Sequence, residues 1–237
     1  MSTSIPGLVE LPEFRDRVRV FQDREEAGKV LSKMLREFRN TDTLVLAIPS
    51  GGVPVGVVLA RILHLNLDVA VSSKVTLPWN PEAGYGAVAF DGTVVLNHDL
   101  IERLGLDEAT TKQGLNLTRD KVKRRVQKFR ENNKLDIRDR RVILTDDGLA
   151  SGYTLLAALQ ALENQKVKER IVATPTAHLD ALEMLKSHFD TVFCPNVRSG
   201  WSFAVADAYH YWSDVEEDEA VALLKKFRQE KERWNEK

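Results

Sequence analysis

Two adjacent carboxylates, Asp146 and Asp147, follow the run Val142-Ile143-Leu144-Thr145 and precede Gly148-Leu149-Ala150-Ser151-Gly152-Tyr153-Thr154. The run reads as a buried strand, and the small residues after the acids read as a turn that opens a helix. Glycines at 148 and 152 let successive backbone N–H groups point at one anion. The helix adds its own unpaired N–H groups and its positive dipole end. Ser151 and Thr154 supply hydroxyl donors. The acid pair has a different task, since carboxylates accept hydrogen bonds: they suit sugar hydroxyls or a hydrated Mg²⁺, not a bare phosphate. A ligand carrying both a phosphate and a vicinal diol would satisfy both halves at once. No lysine follows Gly152, which excludes a Walker A loop, and the glycine spacing is not that of the dinucleotide fingerprint.

These residues need elements to hold them. Asp23 is a candidate N-cap for a helix reaching about Phe38, with Ala27, Val30, Leu31, Met34, Leu35 and Phe38 at helical spacing. Leu44 to Ile48 is an apolar strand closed by Pro49-Ser50-Gly51-Gly52, and a helix begins near Pro54. Leu67 to Val71 is a further buried strand ending near Lys74. Gly84 to Leu96 predicts a hairpin around Asp91-Gly92, and a charged helical segment runs from His98 to Asn132. After the Val142 strand and its helix come strands at Ile171–Thr174 and Thr191–Cys194, with a helix at Leu179–Lys186 between them. A charged helix from Glu216 to about Glu232 carries the stripe Val221, Leu224, Phe227. Apolar strands alternating with helices predict an α/β fold: a parallel, Rossmann-like sheet with helices on both faces. Ligands of such sheets bind beyond the strand C-termini. Three segments leave strands there: Pro49–Pro54, Lys74–Gly86 and Asp146–Thr154.

Bulk properties narrow the class. The chain has 237 residues, 43% hydrophobic and 29% charged, which is ordinary for a globular protein with a sizeable core. A net charge of -1 gives no global field toward nucleic acid or membrane. The single Cys194 excludes an intramolecular disulfide and a multi-thiolate metal site. No apolar run approaches the roughly 20 residues of a membrane span, so a cytoplasmic location is expected.

The thirteen residues from Val142 to Thr154 resemble the 5-phosphoribosyl-1-pyrophosphate (PRPP) motif of type I phosphoribosyltransferases, closest to a broad microbial branch of that family. Ile48-Pro49-Ser50-Gly51-Gly52-Val53-Pro54 is similar to the family's pyrophosphate loop, and Lys74 matches a lysine often found near the pyrophosphate. The likeness covers most of Phe21 to Leu224. It implies a Mg²⁺-dependent transfer of the phosphoribosyl group from PRPP to a nitrogenous base, with release of pyrophosphate through an oxocarbenium-like transition state. Asp146 and Asp147 would hold the ribose hydroxyls and reach the metal only through ligand or water. Gly148, Leu149, Ala150, Ser151, Gly152, Tyr153 and Thr154 would wrap the 5′-phosphate, and Ser50, Gly51, Gly52 and Lys74 would face the pyrophosphate.

The expected organisation is an arm over 1–20, where Pro6, Gly7 and Pro12 interrupt any pattern, a phosphoribosyltransferase-like domain over 21–215 that the resemblance implies, and a C-terminal helix over 216–237. The domain would carry an insertion of about 91–132, its closing loop between His98 and Asn132, and a hood of about 195–215. In the hood, Trp201, Phe203 and His210 are candidates for recognising the base; Ala206 and His210 stand where the purine-salvage pattern has Gly and Asp, and Tyr211 is kept. A homodimer is the family habit. Ser50 departs from the branch, which usually carries Arg there, so one cation for the leaving group is missing. Ala150 stands where hypoxanthine-guanine enzymes place an Asp base. That alanine is more like adenine-type members, whereas Ser50 and the altered hood keep open a second reading, a catalytically silent PRPP or nucleotide sensor. The basic run Lys121, Lys123, Arg124, Arg125, Lys128, Arg130 reads first as a solvated helix face. Nucleic-acid contact there is disfavoured because Phe129 is its only aromatic residue.

Overall fold

The computed structural model describes residues 5–130 and 135–235. The first four residues of the expected arm, the end of the insertion at 131–134 (Asn132 included) and residues 236–237 of the final helix lie outside the described residues. In chain order the elements are β1 (Leu8–Val9), α1 (Arg24–Met34), β2 (Leu44–Ala47), α2 (Gly52–Leu63), β3 (Asn66–Val69), β4 (Ser72–Leu77), β5 (Asn80–Ala89) and β6 (Val94–Leu96). They continue with α3 (His98–Arg103), α4 (Glu108–Arg130), β7 (Arg141–Thr145), α5 (Tyr153–Asn164), β8 (Glu169–Ala173), β9 (Thr176–His178), α6 (Leu179–Leu185), β10 (Thr191–Phe193), β11 (Asn196–Arg198) and α7 (Glu217–Asn235). Asp23 caps α1 as expected: its side chain accepts a hydrogen bond from the Glu26 N–H at 2.9 Å, satisfying one of the donors a helix start leaves unpaired.

Six strands form one sheet in the order β1-β10-β8-β7-β2-β3, and every pair in it is parallel. The inner strand β2 is apolar and buried throughout because both faces are covered. Along β2 the side chains alternate: Val45 and Ala47 join one core with Leu31 of α1, Leu59 of α2 and Leu224 of α7. Leu44 and Leu46 join the other with Leu159 of α5 and Leu182 of α6. β7 divides the same way, Ile143 to the first core and Val142 and Leu144 to the second. The lone Cys194 is buried in the second core.

Strand order reverses between β2 and β7. From β2 the chain moves outward to β3, and from β7 it moves the other way to β8 and β10. The loops leaving these two strands therefore splay apart and leave a crevice. Those loops carry Pro49–Gly51 and Asp146–Gly152.

Two expectations change, and the predicted hairpin forms. Lys74 lies within β4, not beyond a strand, and the expected functional loop from Lys74 to Gly86 is the antiparallel β4–β5 pair. The hairpin predicted at Asp91-Gly92 forms between β5 and β6 and completes a three-stranded sheet. The insertion is helical as expected, but its longer part is docked where a closing loop was expected: Val122 and Phe129 of α4 are buried in the core shared with β4 and β5. The arm is also tied down, since β1 extends the main sheet alongside β10. No helix of the described residues is long and apolar enough to cross a membrane.

Candidate functional site

A cavity of about 470 Å³ opens at the switch in strand order, a volume ordinary for a small-molecule site. Its lining includes Ile48 and Pro49 from the β2–α2 loop, Ser72, Ser73, Lys74 and Thr76 from β4, Lys121 and Arg125 from α4, and Asp146 to Gly152 with Thr154 from the β7–α5 loop. Pro81 and Val205 close the rim.

The two loops touch. A Cβ on Gly51 would stand 2.1 Å from Asp147 Oδ2, and one on Gly52 would stand 2.8 Å from the Thr145 carbonyl and 2.9 Å from Asp146 Cα. No larger residue fits at either position without moving the acid pair, so the Gly-Gly step sets the spacing between acids and loop. On the other side Gly152 adopts φ 80° at the start of α5, the left-handed conformation that turns the loop into the helix. The loop is anchored in between: Leu149 donates its N–H to the Thr176 carbonyl and accepts from the His178 N–H, both at 2.9 Å. The backbone from 148 to 152 is thereby fixed above the first turn of α5, whose N–H groups face the cavity end. Tyr153 alone of this stretch turns away, packing with Ala87, Ala89 and Phe90 of the hairpin.

The acid pair is held on both sides. Arg24 Nε donates to Asp147 Oδ2 at 2.9 Å, with only 11% and 14% of the two side chains exposed. Arg24 itself stacks on Trp212 at 3.8 Å, and Tyr209 Oη donates to the Asp147 carbonyl at 2.6 Å. Asp146 Oδ1 accepts from the Asp147 N–H at 2.9 Å. Burial, followed by the neighbouring Asp147 charge, raises the Asp146 carboxyl well above the ordinary carboxylate range. Burial raises Asp147 too, against the opposing charge of Arg24. Strained ionisation of this kind marks a place built for a hydrogen-bonding or cationic ligand.

The opposite wall is cationic. Arg125 is 7% exposed; its Nη2 reaches Ser50 Oγ at 3.4 Å and its Nη1 reaches Ser73 Oγ at 3.2 Å. Nε of the same side chain donates to Glu217 of α7 at 2.8 Å. Lys121, one turn earlier on α4, lines the cavity beside Lys74. Neither Arg24 nor Arg125 was singled out in the sequence as facing the ligand. For Arg125 a signal existed: Thr118, Val122, Arg125 and Phe129 share the buried stripe of α4, so the arginine sits where an apolar residue was due.

The hood residues lie elsewhere. Trp201 is fully exposed and Phe203 packs edge-on to His178 at 5.5 Å under Arg198. His210 is exposed in a separate groove beside Arg24 and Trp212. None of the three lines the cavity; of the expected hood only Val205 reaches its rim. Ser50, Gly51 and Gly52 are not among the lining residues either: Ser50 Oγ is reached by Arg125, and the two glycines lie against the acid pair. Three other charges of the 121–130 segment are engaged, Arg124 and Lys128 with Glu217 and Arg130 with the Val69 carbonyl, while Lys123 is exposed.

Residues 22–211 match the family described as the phosphoribosyl transferase domain. Two Mycobacterium tuberculosis proteins provisionally named phosphoribosyl transferases are 31% identical over 208 residues, covering 87% of this chain and 47% of theirs. The chain spans about half the length of these curated relatives. The crystal structure of TT1426 from Thermus thermophilus is also similar, at 31% identity and a TM-score of 0.69, with 87% of this chain and 98% of that one covered. Matched over most of its length, and folded as a parallel α/β sheet with the motif at its switch point, the chain belongs to the phosphoribosyl transferase family.

Proposed function

We propose that the cavity binds PRPP and that the protein transfers its phosphoribosyl group to a nitrogen nucleophile, releasing pyrophosphate. The observation that carries this reading is the meeting of Asp147 with Gly51 at the strand switch. It sets diol acceptors, an anion-binding helix start and a cationic wall around one cavity. Asp146 and Asp147 accept from the ribose hydroxyls, the 148–154 backbone with Ser151 and Thr154 holds the 5′-phosphate, and Lys74 faces the pyrophosphate. The C1′–O bond to pyrophosphate breaks, its electron pair leaves with the leaving group, and a C1′–N bond forms. The acceptor's proton passes to pyrophosphate or solvent, since Ala150 offers no base. Rate then comes from stabilising the leaving group and orienting the acceptor.

Among the described residues no three His, Cys, Asp or Glu side chains gather to hold a metal by themselves. Mg²⁺ commonly takes one or two carboxylates, keeps several waters and draws its remaining oxygens from substrate phosphates. Asp146 and Asp147 fit that share for an ion that arrives with PRPP and offsets its charge.

The test is pyrophosphate release from PRPP and Mg²⁺ across a panel of purines, pyrimidines and other nitrogen acceptors. Release with at least one acceptor is expected. Among the described residues no aromatic side chain lines the cavity, which favours a PRPP sensor as the second reading. PRPP binding without release for any acceptor would establish that reading and exclude transfer.

Arg24 gives a further expected result. Arg24→Gln removes the cation that opposes the upward shift of Asp147, so the acid edge of PRPP affinity should move to higher pH. Sign follows from ionisation: a carboxyl raised further protonates earlier as pH falls, and loses acceptor strength there. Isothermal titration between pH 5 and 8 reads this directly, and an unmoved edge would detach Arg24 from the ribose subsite.

A further inference from the structure

We infer that Arg125 and Lys121 of α4 form the diphosphate-binding wall of the cavity, and that Glu217 of α7 aims Arg125 into it. The inference rests on the PRPP reading above and adds to it residues outside the motif, including one from the C-terminal helix.

The β2–α2 loop has no cation of its own: Ile48 to Pro54 contains neither lysine nor arginine. Charge arrives from α4. Lys121 and Arg125 stand four residues apart and so share one helix face, and both line the cavity with Lys74. Arg125 is buried, and its fork spans the two walls, reaching Ser50 of the loop at 3.4 Å and Ser73 of β4 at 3.2 Å. Both of those partners are neutral hydroxyls.

The counter-charge sits behind. Glu217 accepts from Arg125 Nε at 2.8 Å, from Arg124 at 2.8 Å and from Lys128 at 3.0 Å. Burial opposes ionisation of Glu217, but these hydrogen bonds outweigh it and hold the carboxyl at about 2. The carboxylate is therefore ionised throughout the physiological range and fixes the Nε edge of Arg125, which turns the Nη edge toward the loop. A planar fork held on one edge is preorganised to donate from the other. Three cations face this wall, Lys74, Lys121 and Arg125, while Glu217 is shared with Arg124 and Lys128. Partial desolvation of this otherwise exposed side chain, followed by the adjacent Arg125 charge, lowers the Lys121 ammonium, with Lys74 adding to the effect. A polyanion between them relieves that repulsion. The acid pair at the opposite end excludes a ligand that is anionic throughout. The chemistry that fits is a diphosphate on a sugar whose diol points at Asp146 and Asp147.

Isothermal titration of the full chain with inorganic pyrophosphate and Mg²⁺, and separately with ribose 5-phosphate, tests the assignment. Arg125→Gln and Lys121→Gln are each expected to weaken pyrophosphate binding by about tenfold or more, the scale of a charge-assisted hydrogen bond. Ribose 5-phosphate affinity should stay within about twofold of wild type. Lys121 is exposed at the rim, so its variant reports on the ligand even where Arg125→Gln disturbs folding. Unchanged pyrophosphate affinity in Lys121→Gln and Arg125→Gln, or equal loss of both ligands in each, would overturn the inference and leave the arginine a strut between α4 and β4. Failure of the wild type to bind either ligand would instead overturn the PRPP reading itself. Glu217→Gln should weaken pyrophosphate binding and add little on top of Arg125→Gln; full additivity would remove Glu217 from the wall.

Discussion

Replacing Asp146 by Asn is expected to raise the melting temperature of the unliganded protein and to abolish its stabilisation by PRPP. The first half follows from where the carboxyl sits. Burial and the Asp147 charge hold it well above the ordinary carboxylate range, so at neutral pH its ionisation opposes folding. A carboxyl raised in the folded state contributes stability below its unfolded pKa and loses it as pH rises through the folded value. The gap in melting temperature between Asp146→Asn and wild type should therefore be largest at pH 7 to 8 and close as pH falls toward the ordinary carboxylate range. The second half follows from chemistry, since an amide cannot offer two ionised acceptors to a diol. With PRPP at about 100 times Kd the wild type should gain about 2.7 kcal/mol. At about 2–4 °C per kcal/mol for a chain of this size, the shift is roughly 5–10 °C. Differential scanning fluorimetry across pH, with and without PRPP and Mg²⁺, reads both. A variant less stable than wild type at pH 8, or one still stabilised by PRPP, would contradict the account.

Gly52→Ala should damage both fold and site. Its Cβ would sit 2.8 Å from the Thr145 carbonyl and 2.9 Å from Asp146 Cα, and neither is a flexible side-chain end that can swing aside. Gly52 opens α2, where alanine is intrinsically the better helix former by about 0.8–1 kcal/mol. Crowding of a packed interior costs about 1–3 kcal/mol and outweighs that gain. The loss falls on the contact that sets the β2–α2 loop against the acid pair. A melting temperature lowered by several degrees together with PRPP affinity reduced at least about tenfold is the expected result. A variant that melts like wild type and binds PRPP equally well would show that the two loops do not need their close approach.

The strands and the acid pair were legible in the sequence because each is a local pattern. Val142 to Thr145 is apolar on both faces, as β7 must be between α2 and α5, and the turn after it has to be small. The β4–β5 pair was not legible as such: Ser72-Ser73-Lys74-Val75-Thr76-Leu77 buries two serines against α4, so the alternation that marks a half-exposed strand is broken. β9 and β11 are three residues each, too short to show a period. The charge partners were invisible for another reason. Arg24 meets Asp147 across 123 residues of chain, and nothing local in α1 distinguishes it from a surface arginine. Arg125 was concealed among five other basic residues, although its place between Val122 and Phe129 on the buried face of α4 was readable. The hood candidates rest on a resemblance in a tail segment, and their actual neighbours, His178 and Arg198 around Phe203 and Arg24 and Trp212 beside His210, are tertiary facts.

The central claim is that one cavity holds both ends of PRPP, the diol at Asp146 and Asp147 and the diphosphate at the α4 wall. Isothermal titration of PRPP with Mg²⁺ into the wild-type chain tests it most directly, with ribose 5-phosphate and pyrophosphate titrated in competition. The account predicts one PRPP per chain, bound more tightly than either fragment and displaced by each. Absence of PRPP binding, or fragments that bind without competing with PRPP, would contradict it.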